Sequence, residues 1–238
     1  MKKLFLLVFL AVGMTAHAES FVVNANHEAA STDATNDVKD EDEDEDDPWS
    51  FHVNVGVDVP TGAPDGVKFA PFRSWEIGIT VWQYDYAPNN GNTTLSAGLG
   101  VNWRNYTLSG HKDGFFKENG IINVHPVYEN WQDASSSIHT TAFTLPLLVK
   151  QRFSKNFAVS LGAQLNWNFY SRVNNEYEIG DDDFDVNTKK IGERPITVDI
   201  LGIIHIKKVG IYCKYSPMSV LKSGRGPEFK SLAFGIYL

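Results

Sequence analysis

Along most of the chain, hydrophobic and polar residues take turns. Between residues 156 and 169, Phe157, Val159, Leu161, Ala163, Leu165, Trp167 and Phe169 are separated by Ala158, Ser160, Gly162, Gln164, Asn166 and Asn168. A period of two predicts a β-strand with one greasy face and one small, polar face. Seven further segments repeat it. Near the start of the pattern, Phe51, Val53, Val55, Val57 and Val59 oppose His52, Asn54, Gly56 and Asp58. Trp75, Ile77, Ile79 and Val81 then oppose Glu76, Gly78, Thr80, Trp82 and Tyr84. In the third segment Leu95, Ala97, Leu99, Val101 and Trp103 oppose Ser96, Gly98, Gly100, Asn102 and Arg104. The fourth sets Phe143, Leu145, Leu147 and Val149 against Thr140, Ala142, Thr144, Leu148 and Lys150. After the segment at 156–169, Ile196, Val198, Ile200, Ile204 and Ile206 oppose Thr197, Asp199, Leu201, Ile203 and His205. "VGIYCKYS" (209–216) and the terminal "FKSLAFGIYL" (229–238) complete the set. No helical periodicity competes with it.

The connections are of two kinds. Those near 60–72, 107–137, 173–193 and 216–228 are long, whereas those near 87–92, 153–155 and 207–208 are tight. Transmembrane barrels sort their loops this way, with tight turns on the periplasmic rim and longer loops outside. The greasy faces carry almost no charge and repeat Trp75, Trp103 and Trp167, as an apolar band with aromatic girdles requires. The opposite faces are Gly, Ser, Asn, Gln and Thr with scattered charges, where a soluble shell would show Lys and Glu. Most segments reach the ~9–11 residues that cross a bilayer at a tilt. The pattern therefore predicts an all-β protein: an eight-stranded, antiparallel, up-and-down transmembrane β-barrel over residues 48–238.

The N-terminus supplies the address. Lys2 and Lys3, the apolar run from Leu4 to Val12, and Ala16-His17-Ala18 have the layout of a signal peptide, residues 1–18. That run is far below the ~20 residues of a membrane-spanning helix. Residues 19–47 lack aromatic rings apart from Phe21 and end in "DEDEDEDD" (40–47), which reads as a disordered, acidic periplasmic segment. This run accounts for the formal net charge of −8, and the rest of the chain is close to neutral. Without a basic footprint, nucleic acid is not an expected partner. The single cysteine, Cys213, has no disulfide partner within the chain and sits on the apolar side of its segment as a small hydrophobe.

Three stretches, "LGVNWRNY" (99–106), "FTLPLLVKQRF" (143–153) and "YSPMSVLKSGRGPEFKSLAFGIYL" (215–238), resemble the small outer-membrane β-barrel proteins grouped as PorT-like, built like OmpX-type eight-stranded barrels. The resemblance covers roughly 48–238 and implies a barrel in the outer membrane of a Gram-negative cell envelope. It transfers no activity, since the family's members are mostly of unknown role, with one class serving protein secretion. The acidic run 40–47 departs from the family pattern.

An eight-stranded barrel is just wide enough to be filled by side chains. The inward positions then include Glu76, Arg104, Lys150, Asp199 and Lys214, with Trp82, Tyr84, Asn102 and Tyr170. Charges in a filled lumen must be paired, so these five are expected to form a structural ion network. A narrow solute channel is the competing reading, and the inward aromatics count against it. A lipid-modifying hydrolase or acyltransferase would need a Ser-His-acid cluster. His205 and Asp199 are six residues apart, about 20 Å at ~3.3 Å per residue, too far to pair. Ser135, Ser136, Ser137 and His139 lie near the outer rim. No motif supports catalysis, so no catalytic residue, cofactor or metal is assigned. "DDDFDVN" (181–187) spaces Asp181, Asp183, Asp185 and Asn187 like a calcium loop. Val186 and Gly192 stand where such a loop needs Gly and Glu, so a solvated acidic loop is the better reading. Pro146 predicts a bulge or kink in its strand. The long segment 107–137 carries Phe115, Phe116, Ile121, Ile122, Val124, Tyr128 and Trp131. It either extends the barrel as a hairpin or offers a surface to a protein partner. The expected partners are otherwise outer-membrane lipid and lipopolysaccharide, and the expected role is structural or binding, through the outer loops.

Overall fold

The computed structural model describes residues 49–88, 91–129 and 131–238. The segments expected to be a signal peptide (1–18) and an acidic periplasmic stretch (19–47) lie outside the described residues. The strands are β1 (Trp49–Thr61), β2 (Trp75–Tyr86), β3 (Thr93–Thr107), β4 (Asp113–Glu118), β5 (Ile121–Pro126), β6 (Gln132–Ser154), β7 (Phe157–Ile179), β8 (Asp182–Lys189), β9 (Ile196–Ile206), β10 (Val209–Ser216) and β11 (Lys230–Tyr237). Among the described residues one 3-10 turn spans Pro71–Arg73.

Eight of these strands close on themselves in the order β1-β2-β3-β6-β7-β9-β10-β11, with β11 returning to β1. Every neighbour in the ring is antiparallel and follows in chain order, which is an up-and-down meander. The closure is carried by pairs such as Val57 with Phe234 and Asn54 with Tyr237. A closed ring removes the unpaired edges that an open sheet would expose.

The alternation resolves as a reversal of the usual soluble pattern. Leu161, Trp167 and Ile211 point outward with 62%, 59% and 57% of their surface exposed. Ser160, Asn166 and Asp199 point inward and are almost fully buried. Buried polar groups are the informative exception in protein interiors, and here they line the ring.

Two bulges correct the predicted faces. Between β2 and β3 the register shifts at Thr80/Trp82, so Val81 and Trp82 both face outward. Gln83 then turns in and Tyr84 out, so Trp82 and Tyr84, expected inside, lie on the outer face. Between β6 and β7 the shift at Thr141/Ala142 leaves Tyr170 opposite Thr141, whose partner on β3 is the outward Trp103. Tyr170 therefore also lies outside, beside Lys189. One extra residue moves everything beyond it to the other face until a second shift compensates.

The bulge expected at Pro146 is absent. Pairing with β3 lapses between Ala97/Leu147 and Gly100/Thr144, but the register is unchanged. On the other side Pro146 pairs with Gln164 without interruption. Gly98, opposite, leaves room for the ring: a Cβ there would sit 3.2 Å from Pro146 Cγ.

The largest departure from expectation is at the end with the long connections. β6 and β7 are each 23 residues long and continue well past the ring. β9 accompanies β7 only from Phe157 to Trp167, and β8 pairs with the remainder, from Arg172 to Ile179. Segment 173–193, read as a long connection, is thus largely strand, and 107–137 follows the hairpin alternative offered for it. β4 and β5 form a hairpin turned at Asn119 (φ 51°) and Gly120 (φ 79°), and an Asn-Gly pair is the favoured sequence for such a turn.

Two apolar layers fill the interior. Leu148, Leu201, Ile203, Tyr212, Ala233 and Tyr237 pack toward the short turns. Tyr106, Leu108, Phe115, Ile138, Val173 and Phe229 belong to the other layer, under the hairpin and the 216–229 connection. Along β3, β9 and β10 the charged residues fall between the two.

Candidate functional site

Four of the five predicted network residues converge between these layers. Arg104 donates from Nε to Glu76 Oε2 at 2.7 Å and also pairs with Asp199. Lys214 Nζ lies 2.8 Å from Glu76 Oε1. Strand alternation is what aims them: Glu76 and Arg104 are direct partners across β2 and β3, and Asp199 and Lys214 arrive from β9 and β10 on the far wall. All are buried.

Neutral groups complete the set. Tyr212 Oη donates to Glu76 Oε1 at 2.9 Å, and Asn102 Nδ2 to Glu76 Oε2 at 3.0 Å. Ser216 Oγ and Asn166 Nδ2 donate to Asp199 at 2.6 and 2.9 Å. Buried charge is tolerated only when its remaining lone pairs are met in this way. Gly56 is part of the arrangement, because a Cβ there would stand 2.5 Å from the Phe234 carbonyl oxygen and collide with the Tyr212 hydroxyl.

Lys150 is not part of the network. It pairs with Thr94, whereas Arg104 lies opposite Thr140. Ten residues of strand, roughly 33 Å, separate those two positions on β6. Lys150 instead shares the short-turn end with His52, His205 and Asp85. There His205 Nε2 sits 2.8 Å from Ser160 Oγ.

Three participants escaped sequence reasoning. Tyr212 reads as apolar, and Ser216 as one more small residue. Asp58 was placed on the polar side of its strand without a partner. It is fully buried, accepts a hydrogen bond from Ser231 Oγ at 2.6 Å through Oδ1, and has no partner for Oδ2 among the described residues. Three buried carboxylates, Asp58, Glu76 and Asp199, thus face two buried cations, Arg104 and Lys214. Asp58 is the surplus acid. Asp58→Asn keeps the bond from Ser231 and removes the surplus charge, so its expected effect is within about 1 kcal/mol. Asp199→Asn leaves Arg104 half-paired, and the expected loss is about 2–4 kcal/mol. Denaturant unfolding of the two purified variants measures the difference.

Beside the network the voids lined by described residues are small. Two voids of about 10 Å³ each flank the network, one against Arg104, Thr140 and Ser216, the other against Thr80, Pro146 and Lys214. That is about the volume occupied by one water probe.

Among the described residues the serine and histidine groups do not assemble a triad. Ser137 Oγ lies 3.1 Å from His139 Nε2, on the outer face. Ser50 and His52 make the same contact at 3.0 Å, because residues i and i+2 share a strand face. The residue directly across from His139 is Arg172, a cation where an orienting carboxylate would be needed. The "DDDFDVN" segment is strand β8, not a wrapped loop, with Asp183 and Asp185 on one face and Asp182 on the other. Among the described residues no group of three or more His, Cys, Asp or Glu could hold a metal ion.

No protein-family profile matches the chain, and no curated protein is significantly similar to it.

Proposed function

We propose that the protein is a non-enzymatic outer-membrane β-barrel of the PorT-like, OmpX-type build, with a sealed lumen and a binding or structural role exercised outside the membrane. The observation that carries this reading is the outer face of the ring. From Phe157 to Trp167 every outward position on β7 is apolar, and β9 and β10 match it with Ile196, Ile200, Ile204 and Ile211 exposed. Such a span, tilted by ~45°, covers a hydrocarbon band about 25 Å tall. Soluble proteins rarely leave contiguous apolar surface of that extent uncovered.

Aromatic rings gather at both margins. Trp75, Trp103, Phe143, Trp167 and Phe169 lie toward the arm formed by β6, β7 and β8. Tyr84, Tyr86, Phe153 and Phe157 lie toward the short turns. Two such girdles mark the interfaces of a membrane barrel. The bulge that turned Tyr84 outward therefore supplies part of the second girdle. With tight turns on the periplasmic side, the arm and the β4–β5 hairpin stand outside the cell, among lipopolysaccharide, and the acidic segment 19–47 lies in the periplasm.

The salt-bridged network and the one-water voids support a structural brace rather than a channel. The test is outer-membrane fractionation followed by electrophoresis of unheated and boiled samples, with conductance recorded in planar bilayers. The expected result is a fast unheated band that shifts on boiling, and no conductance. Recovery in the soluble periplasm without a shift would overturn the membrane assignment, and steady single-channel current would overturn the sealed lumen.

A further inference from the structure

The ring has no edge, but the arm has one. β8 pairs with β7 through eight consecutive residues without a register shift and, among the described residues, has no strand on its other side. All of it except Thr188 is exposed. A free edge of this kind is usually blunted by charged side chains, Pro, a bulge or a covering loop; β8 has no Pro and no bulge, and its charges are Asp182, Asp183, Asp185 and, at its end, Lys189, which are mostly of one sign.

The arm is braced. On its inner face Phe184 stacks on Tyr177 (centroids 5.4 Å apart), and Tyr177 stacks on Trp131 at 3.6 Å. Trp131 and Phe116 continue the row to His125 on the hairpin. The edge is therefore held in the geometry a further strand would need.

The two faces beside that edge differ in chemistry. On the outer face Glu176 stands directly opposite Asp185, and Glu178 opposite Asp183. Like charges in directly opposed pairs destabilise a sheet. Their partners are amides, Asn174 for Glu176 and Asn187 for Asp185. Among the described residues no cation pairs with them. On the inner face Phe184 and Val186 remain more than two-fifths exposed. The carboxylates are spread along the strands and do not converge on a metal-sized site.

We infer that β8 is a docking edge for an extended partner segment in which basic and apolar residues alternate. The segment adds a strand to β8, sets its Lys or Arg side chains beside Asp183 and Asp185, and covers Phe184 and Val186 with its apolar ones. Main-chain hydrogen bonds supply affinity in this mode and alternate side chains supply specificity. A second copy of this chain is a poor occupant, since antiparallel β8–β8 pairing would set acid against acid. The inference rests on the binding role proposed above and names its partner chemistry.

The experiment uses the full-length protein in detergent micelles and a capped peptide of about eight residues alternating lysine and valine, long enough to match β8. Two analogues accompany it, one with glutamate for lysine and one with backbone N-methyl groups along a single edge. Binding is followed by fluorescence anisotropy, and the sedimentation of the free protein is recorded. The lysine–valine peptide is expected to bind, and D183N/D185N to weaken it by about tenfold, with both analogues failing. Equal binding of the N-methylated analogue would reduce the effect to charge attraction and overturn the strand-addition proposal. Absence of peptide binding, or a β8-dependent dimer, would overturn it as well. The boiling-dependent band shift of D183N/D185N is measured in parallel, so a failed barrel is distinguished from a failed docking edge.

Discussion

Arg104→Ala is expected to be the most damaging single substitution in the ring, costing about 3–5 kcal/mol, because it takes the salt-bridged cation from Asp199 and one of two from Glu76. Glu76 would keep Lys214, Tyr212 and Asn102, but Asp199 would be left with Ser216 and Asn166 alone. The readout is the temperature at which the fast-migrating unheated band is lost. Lys150→Ala is the control, with an expected change of at most ~0.5 kcal/mol, since Lys150 is half-buried and outside the network. The penalty belongs chiefly to the orphaned Asp199, not to the missing guanidinium. The double variant Arg104→Met, Asp199→Asn, which leaves Glu76 paired with Lys214, is therefore expected to recover much of it, as replaced buried ion pairs often do. An Arg104→Ala barrel as heat-resistant as the parent would show that the network contributes nothing to the closed state.

The ring was legible in the sequence because a period of two survives in every one of its strands, and closure adds no new signal beyond the apolar last strand. The faces were legible only up to a bulge. Nothing in "TVWQY" marks the shift at Thr80/Trp82, since Val81, Trp82 and Tyr84 suit an outer face as well as a crowded inner one. The network was half legible. Its charged members stand out on otherwise neutral polar faces, but Arg104 and Asp199 are 95 residues apart. Which acid meets which base depends on where the ring closes. Lys150 shares the alternation yet lies at another height, and height along a strand can be read only once register is known. The β4–β5 turn carries a local signal, the Asn119-Gly120 pair flanked by apolar residues, which bears on the hairpin reading of 107–137 and not on its role. β8 was hidden more deeply, because a strand carrying three aspartates has low β-propensity and is held by pairing with β7 and by stacking of Phe184 on Tyr177.

Leu161→Arg tests the lipid assignment with an effect nearly as large. Leu161 lies near the middle of the outward apolar row on β7, between Val149 and Gly202, and is 62% exposed. In water, exchanging so exposed a leucine for arginine changes stability by no more than about 0.5 kcal/mol. At the midplane of a bilayer the same exchange costs about 2–4 kcal/mol, falling toward about 0–1 near the interfaces. The companion is Phe157→Arg, at the short-turn end of the same row, where the long side chain reaches the headgroups. Folding into lipid vesicles across a urea series, read by the heat-shifted band, should rank Leu161→Arg well below Phe157→Arg and the parent. Equal stability of the two variants would mean that depth is irrelevant, and the apolar face would then have to be covered by protein, not lipid. The pair discriminates because both residues are exposed on one strand and take the same replacement, so only the surrounding solvent can separate them.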